Sequence, residues 1–140
     1  METKDWFLII FPIFSLLLGS WLTYFFTTKT KKTEAMIKFK EEKYSNLLIL
    51  LQGFVGQTTS GELKKKFFEE QYRSWLYSSD EVILAINNLV DLLISERGET
   101  PNLENGKKVI GDIILAMRKD LAGKTKLKYS DFRYTDVIEK

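Results

Sequence analysis

Apolar and polar positions divide this chain into one unbroken apolar run and a longer, patterned remainder. Residues 6–26, WFLIIFPIFSLLLGSWLTYFF, are twenty-one positions without a charge. As a helix rising about 1.5 Å per residue, the run covers roughly 30 Å, the thickness of a bilayer's hydrocarbon core, and so predicts a membrane-spanning helix. Trp6 stands at one end and Trp21 and Tyr24 at the other, where amphipathic rings favour the headgroup level. The preceding METKD is not the basic leader of a secretory signal, and no small-x-small cleavage site follows, so residues 1–28 read as a retained anchor. Pro12 removes one backbone donor and is expected to kink the first half of this helix.

Beyond the anchor the apolar residues recur at three-and-four spacing. In residues 33–55 they fall at Ile37, Tyr44, Leu47, Leu48, Leu51 and Val55, one face of an amphipathic helix whose lysine-rich first half continues toward the membrane surface. Gly53, Gly56 and the TTSG run at 58–61 end it. A second helix is predicted from Gly61 to Tyr77, with Leu63, Phe67, Tyr72 or Gln71, Trp75 and Leu76 as its core face. Ser78, Ser79 and Asp80 then read as an N-cap for a third helix over 79–95, carrying Val82, Ile83, Ile86, Leu89, Val90 and Leu93. After a loop at 96–105, a last helix beginning near 101–104 presents Val109, Ile110, Ile113, Ile114, Met117 and Leu121 and stops at Gly123. The remaining KTKLKYSDFRYTDVIEK predicts an extended tail with a short helical turn, docking Leu127 and Phe132 on the bundle. The expected fold is all-α: a single transmembrane helix at 1–28, a basic juxtamembrane start at 29–43, and a cytoplasmic bundle of about four helices within 44–140 with an extended C-terminal tail.

Composition narrows the chemistry. The chain has no Cys and no His. Disulfides, thiol nucleophiles, Ser–His pairs and the usual zinc sites are therefore excluded, and only carboxylates, Lys, Tyr and Arg remain for catalysis. The net charge is +2, but its layout is uneven. Residues 29–43 hold six Lys against three Glu, residues 118–128 five basic residues against one Asp, and residues 44–117 are net acidic by three. A nucleic-acid binder would carry a continuous basic face, so this pattern argues against one and fits a domain lying close to an anionic membrane. Lys29, Lys31 and Lys32 immediately follow the span and are candidates for contact with the membrane surface. By the positive-inside bias they place the N-terminus outside and the C-terminal domain in the cytoplasm, at the inner membrane.

Candidate sites are few. Ser15, Gly19 and Thr23 recur every four residues and form a small-residue stripe suited to packing of membrane helices, although such residues are also common in membrane helices generally. Five aromatic residues lie between Phe67 and Tyr77, and the predicted core does not require Phe68 and Tyr77, which makes these two the candidates for a protein-binding surface. Glu69 and Glu70 precede Arg73 at ion-pair spacing, and Asp112 stands alone on the last helix; without His these do not form the di-metal template of bundle proteins. Gly123-Lys124-Thr125 lacks both the preceding strand and the earlier Gly of a phosphate loop.

The segments WLYSSDEVILAINNLV, IGDIILAMRKDL and KTKLKYSDFR together resemble a pattern in small bacterial helical proteins, where a helical domain ends with MRKDL, then KT-x-L, then a DF pair. The matching positions are Met117, Arg118, Lys119, Asp120, Leu121, Lys124, Thr125, Leu127, Asp131 and Phe132, within residues 67–133. The resemblance implies a bacterial source and a helical domain, and it carries no catalytic residue and no cofactor. On the residues themselves, Met117 and Leu121 face inward, Arg118, Lys119 and Asp120 are solvated or touch the tail, and Arg118 or Lys124 pairs with Asp131. The expectation is a non-enzymatic, membrane-anchored interaction module without cofactor, substrate or nucleic acid, whose partners are membrane lipid and either a protein or a second copy bound through the anchor. The alternative is a membrane-acting effector of the abortive-infection or phage-defence type, which oligomerises and perturbs the bilayer.

Overall fold

A computed structural model of the chain describes residues 3–54, 60–97 and 102–133. All its regular elements are helical: α1 (Thr3–Leu51), α2 (Gly61–Ser74), α3 (Asp80–Ser95) and α4 (Leu103–Ala122), with 3-10 turns at Gln52–Phe54 and Tyr129–Asp131. No strand occurs among the described residues. The chain divides into two compact units, Met1–Lys38 and Phe39–Lys140.

The first unit is helical throughout its described length, and Pro12 lies inside the helix without ending it. Here α1 is long and apolar enough to cross a membrane by length and composition, and none of its most apolar window is buried. Phe11, Leu16, Trp21 and Tyr24 are all exposed. An apolar surface of this extent is far beyond the patch that a water-soluble monomer normally shows.

The second unit is an up-and-down bundle, built from the part of α1 after Lys38 and from α2, α3 and α4. Its start is the proximal end. Successive helices run antiparallel, and only short stretches of sequence separate their bounds. Gly53 O accepts from Ser60 N at 3.2 Å, and the Phe54 and Phe67 rings meet edge to face, so α2 begins at the distal end of α1. It finishes proximally, where Tyr77 packs against Phe39 and Tyr44. Lys119 on the last turn of α4 pairs with Glu81 on the first turn of α3 at 2.8 Å, which sets those two helices antiparallel as well.

The core joins Tyr44, Leu47 and Leu51 of α1, Phe67 of α2, Val82, Ala85, Ile86 and Leu89 of α3, and Ile110, Ile113 and Met117 of α4. Removing these side chains from water is the main stabilising term for so small a domain. Of the stripe expected on α1, Ile37 and Leu48 stay outside the buried core at 43% and 36% exposure, and Val55 lies outside the described residues, as do Gly56 and Pro101.

Local signals set the helix ends. Ser60 caps α2 through its side chain, which accepts from Leu63 N, and Asn102 caps α4 by accepting from Glu104 N and Asn105 N. Gly123 ends α4 at φ +83°, a conformation that favours glycine, with its N–H bonded to Lys119 O at 2.8 Å.

Two expectations are corrected. Helix α2 stops at Ser74 instead of continuing to Tyr77, and its buried face is Phe67, Gln71 and Ser74. Spacing of four and then three fixes this face from Phe67, so two polar residues take the inward positions and Trp75 and Leu76 are turned outward. The Ser74 hydroxyl is satisfied within the helix by donating to Gln71 O at 2.6 Å. The tail also docks differently at Leu127, which remains 49% exposed, while Phe132 is 42% exposed. One contact with the bundle is Tyr129 lying over Gly111 of α4, where a Cβ on residue 111 would come within 3.1 Å of the Tyr129 Cα. Glycine is required there by close approach.

Candidate functional site

At the proximal end of the bundle, three polar side chains converge from opposite ends of the sequence. Lys40 and Tyr44 lie one turn apart on α1 and therefore share a face. Asp120 reaches them from the last turn of α4. Lys40 Nζ donates to both carboxylate oxygens, at 2.9 and 3.2 Å, and the Tyr44 hydroxyl donates to Oδ2. The lysine and aspartate side chains are 19% and 13% exposed. This corrects the reading of Asp120 as a solvated or tail-facing residue. Asp131, in turn, pairs with neither Arg118 nor Lys124 in the ion pairs of the described residues. Its carboxylate accepts from Lys128 N at 2.8 Å and so closes its own 3-10 turn.

Electrostatics around the junction follow from burial and from these bonds. Burial is the largest single influence on Asp120 and favours its neutral form. The hydrogen bonds from Tyr44 and Lys40, the lysine's charge and the Ser79 backbone N–H together outweigh it, so the carboxyl is held below its ordinary range. Ser79 is the N-cap of α3 and has no cap bond from its own side chain. Asp120 supplies the negative charge at that helix start from another helix. Burial first, and then the bond to Asp120, drive the Tyr44 phenol well above its ordinary value. Tyr77 is pushed up to about 12, again by burial first and then by the Glu70 charge. Within this cluster a charged lysine, an ionised aspartate and a neutral phenol satisfy one another, which is the arrangement of a clamp between α1 and α4.

The residues singled out from the sequence are distributed as follows. Ser15, Gly19 and Thr23 line one shallow depression on the first unit, and a Cβ on Gly19 would meet nothing within 4 Å. Lys29, Lys31 and Lys32 are exposed. Phe68 and Tyr77 are only half-buried and pack on the core. Phe68 meets Phe54 and Phe67 edge to face, and Tyr77 does the same with Phe39. The aromatic and aliphatic side chains that α2 and its following turn present to solvent are Tyr72, Trp75 and Leu76. Periodicity missed this because Trp75 and Leu76 are the most apolar residues near the end of the segment.

Glu70 and Arg73 pair at 2.7 Å, and Glu70 Oε2 and Tyr77 Oη are buried polar atoms without a hydrogen-bond partner among the described residues. An open groove of about 420 Å³ lies between α2 and α3, bordered by Phe68, Tyr72, Asn87, Val90 and Arg97. No group of three or more acidic, His or Cys side chains close enough to hold a metal ion occurs among the described residues. Comparison with protein families, curated proteins and solved structures finds no match for this chain.

Proposed function

We propose that the protein is a non-enzymatic tether that holds a small helical interaction module at the inner face of a bacterial membrane, N-terminus out and bundle in the cytoplasm. The observation that carries this reading is α1 itself. It is a single helix whose first part exposes apolar side chains on every side and whose last part supplies Tyr44, Leu47 and Leu51 to a folded core. A side chain distribution of this kind suits lipid around the first part and protein around the second. Lys29, Lys31 and Lys32, exposed just beyond the apolar run, support the orientation and contact with anionic headgroups. Ser15, Gly19 and Thr23 support self-association, because small residues let two helix backbones approach within a bilayer.

The test is recovery of the tagged full chain from crosslinked cells in mild detergent. The expected result is a self-associated or partner-bound species, with self-association lost in Gly19→Leu. Recovery of the monomer alone would overturn the interaction role. A membrane-potential dye separates the effector alternative: an effector depolarises cells on overexpression, and a tether does not.

A further inference from the structure

The α2–α3 turn is the unexplained surface of the bundle. Trp75 is 56% exposed and Leu76 89%, side by side, although each is large and apolar. Tight backbone bonds hold them outward: Leu76 N to Arg73 O at 3.1 Å, Tyr77 N to Ser74 O at 3.1 Å and Ser78 N to Ser74 O at 2.8 Å. Tyr77, the next residue, is anchored inward against Phe39 and Tyr44. The pair therefore projects from a fixed base.

Position and charge identify what would cover them. The turn belongs to the proximal end, where Phe39 opens the second unit and where Ser79 faces Asp120. Three residues after Asp120 begins GKTKLK, in which Lys124, Lys126, Leu127 and Lys128 are all exposed. The ion pairs of the described residues engage Lys40, Lys66, Arg73 and Lys119, and none of these three tail lysines. An indole and a leucine at the end of the bundle from which a lysine run departs have the composition of an interfacial membrane contact, with apolar groups at headgroup depth and cations on anionic lipid. The twelve residues between Phe26 and Phe39 cannot carry Phe39 more than about 47 Å from the end of the apolar run even if fully extended. A surface held so close to a bilayer binds it at high effective concentration, so weak affinity suffices.

We propose that the Trp75–Leu76 turn and Lys124, Lys126 and Lys128 form a second membrane-contacting element, which lays the proximal end of the bundle on an anionic lipid surface. This rests on residues 6–26 being membrane-spanning. The bundle is then docked on the bilayer as well as tied to it.

Two single-tryptophan forms of the full chain test the proposal in phosphatidylcholine vesicles with and without phosphatidylglycerol, using lipids brominated high on the acyl chain. Trp6→Phe with Trp75→Phe leaves Trp21 as the reporter of the span, and Trp6→Phe with Trp21→Phe leaves Trp75. The expected result is quenching of Trp21 in both vesicles and quenching with a blue shift of Trp75 when phosphatidylglycerol is present. That Trp75 quenching is lost in Leu76→Glu, whose position is too exposed to disturb folding, and in Lys124→Glu with Lys126→Glu and Lys128→Glu. If Trp21 is quenched while Trp75 stays open to aqueous acrylamide, the span stands and the second contact is wrong, leaving the turn to a protein partner. If neither is quenched, the spanning reading itself fails.

Discussion

The two ends of the bundle are closed by opposite chemistries. Proximally, Asp120 draws Lys40 and Tyr44 into a partly buried polar clamp, and Lys119 meets Glu81 at the surface. Distally, Phe54, Phe67 and Phe68 meet edge to face at 5.1 to 5.9 Å, and Gly53 lets α2 approach so closely that a Cβ there would fall 2.6 Å from the Leu63 Cβ. A polar clamp built on an ionised carboxylate is weakened by acid. An aromatic cluster is indifferent to pH and sensitive to volume. One small core can thus be secured at one end by shape and at the other by charge.

Substitutions at three positions probe this contrast, each read by thermal unfolding of the full chain in detergent. The largest effect is expected for Phe67→Ala, which empties a fully buried position at the distal end and should cost about 3–5 kcal/mol without changing the pH profile. A loss under about 1 kcal/mol would mean that the aromatic cluster does not hold that end.

Next comes Asp120→Ala, which strands the Lys40 ammonium and the Tyr44 hydroxyl. It should cost about 1–3 kcal/mol, less than a fully buried pair because water reaches both partners. Its signature is pH dependence. A carboxyl held below its ordinary value of 3.8 contributes fully above that value and loses its contribution as pH falls through the folded value. Acid sensitivity between about pH 5 and 2 should therefore be reduced in Asp120→Asn and unchanged in Phe67→Ala. Equal acid profiles in the two variants would erase the distinction between the ends. The smallest effect belongs to Lys119→Ala, whose pair with Glu81 is half-exposed on both sides and should contribute less than about 0.5 kcal/mol.

What the residues announce in advance is what they encode locally. The apolar run at 6–26, the helix start at Ser79 and the stop at Gly123 each depend on a few neighbouring positions, and each falls where spacing predicts. The clamp is different. Asp120 sits in MRKDL between a cation and an apolar residue, and nothing nearby hints that its partner lies eighty residues earlier. The outward Trp75 and Leu76 were hidden for a related reason. Helix phase runs from Phe67 to Gln71, one of the two positions the pattern left open, and then to Ser74, which no hydrophobic pattern would choose for a core. The seat of the tail was equally obscure, because Gly111 marks a contact by having no side chain at all.

The separation between Lys40 and Asp120 also governs the order in which the molecule is made. A ribosome working at about 5–20 residues per second synthesises α1 first and reaches the aspartate roughly 4–16 s later. For that interval Tyr44, Leu47 and Leu51 have no complete core to enter, while the apolar run ahead of them has already been synthesised. The nascent chain therefore carries two apolar surfaces with different destinations. Only the acidic residue near the end of α4 completes the proximal closure, so the bundle is sealed last at the point where its chain began.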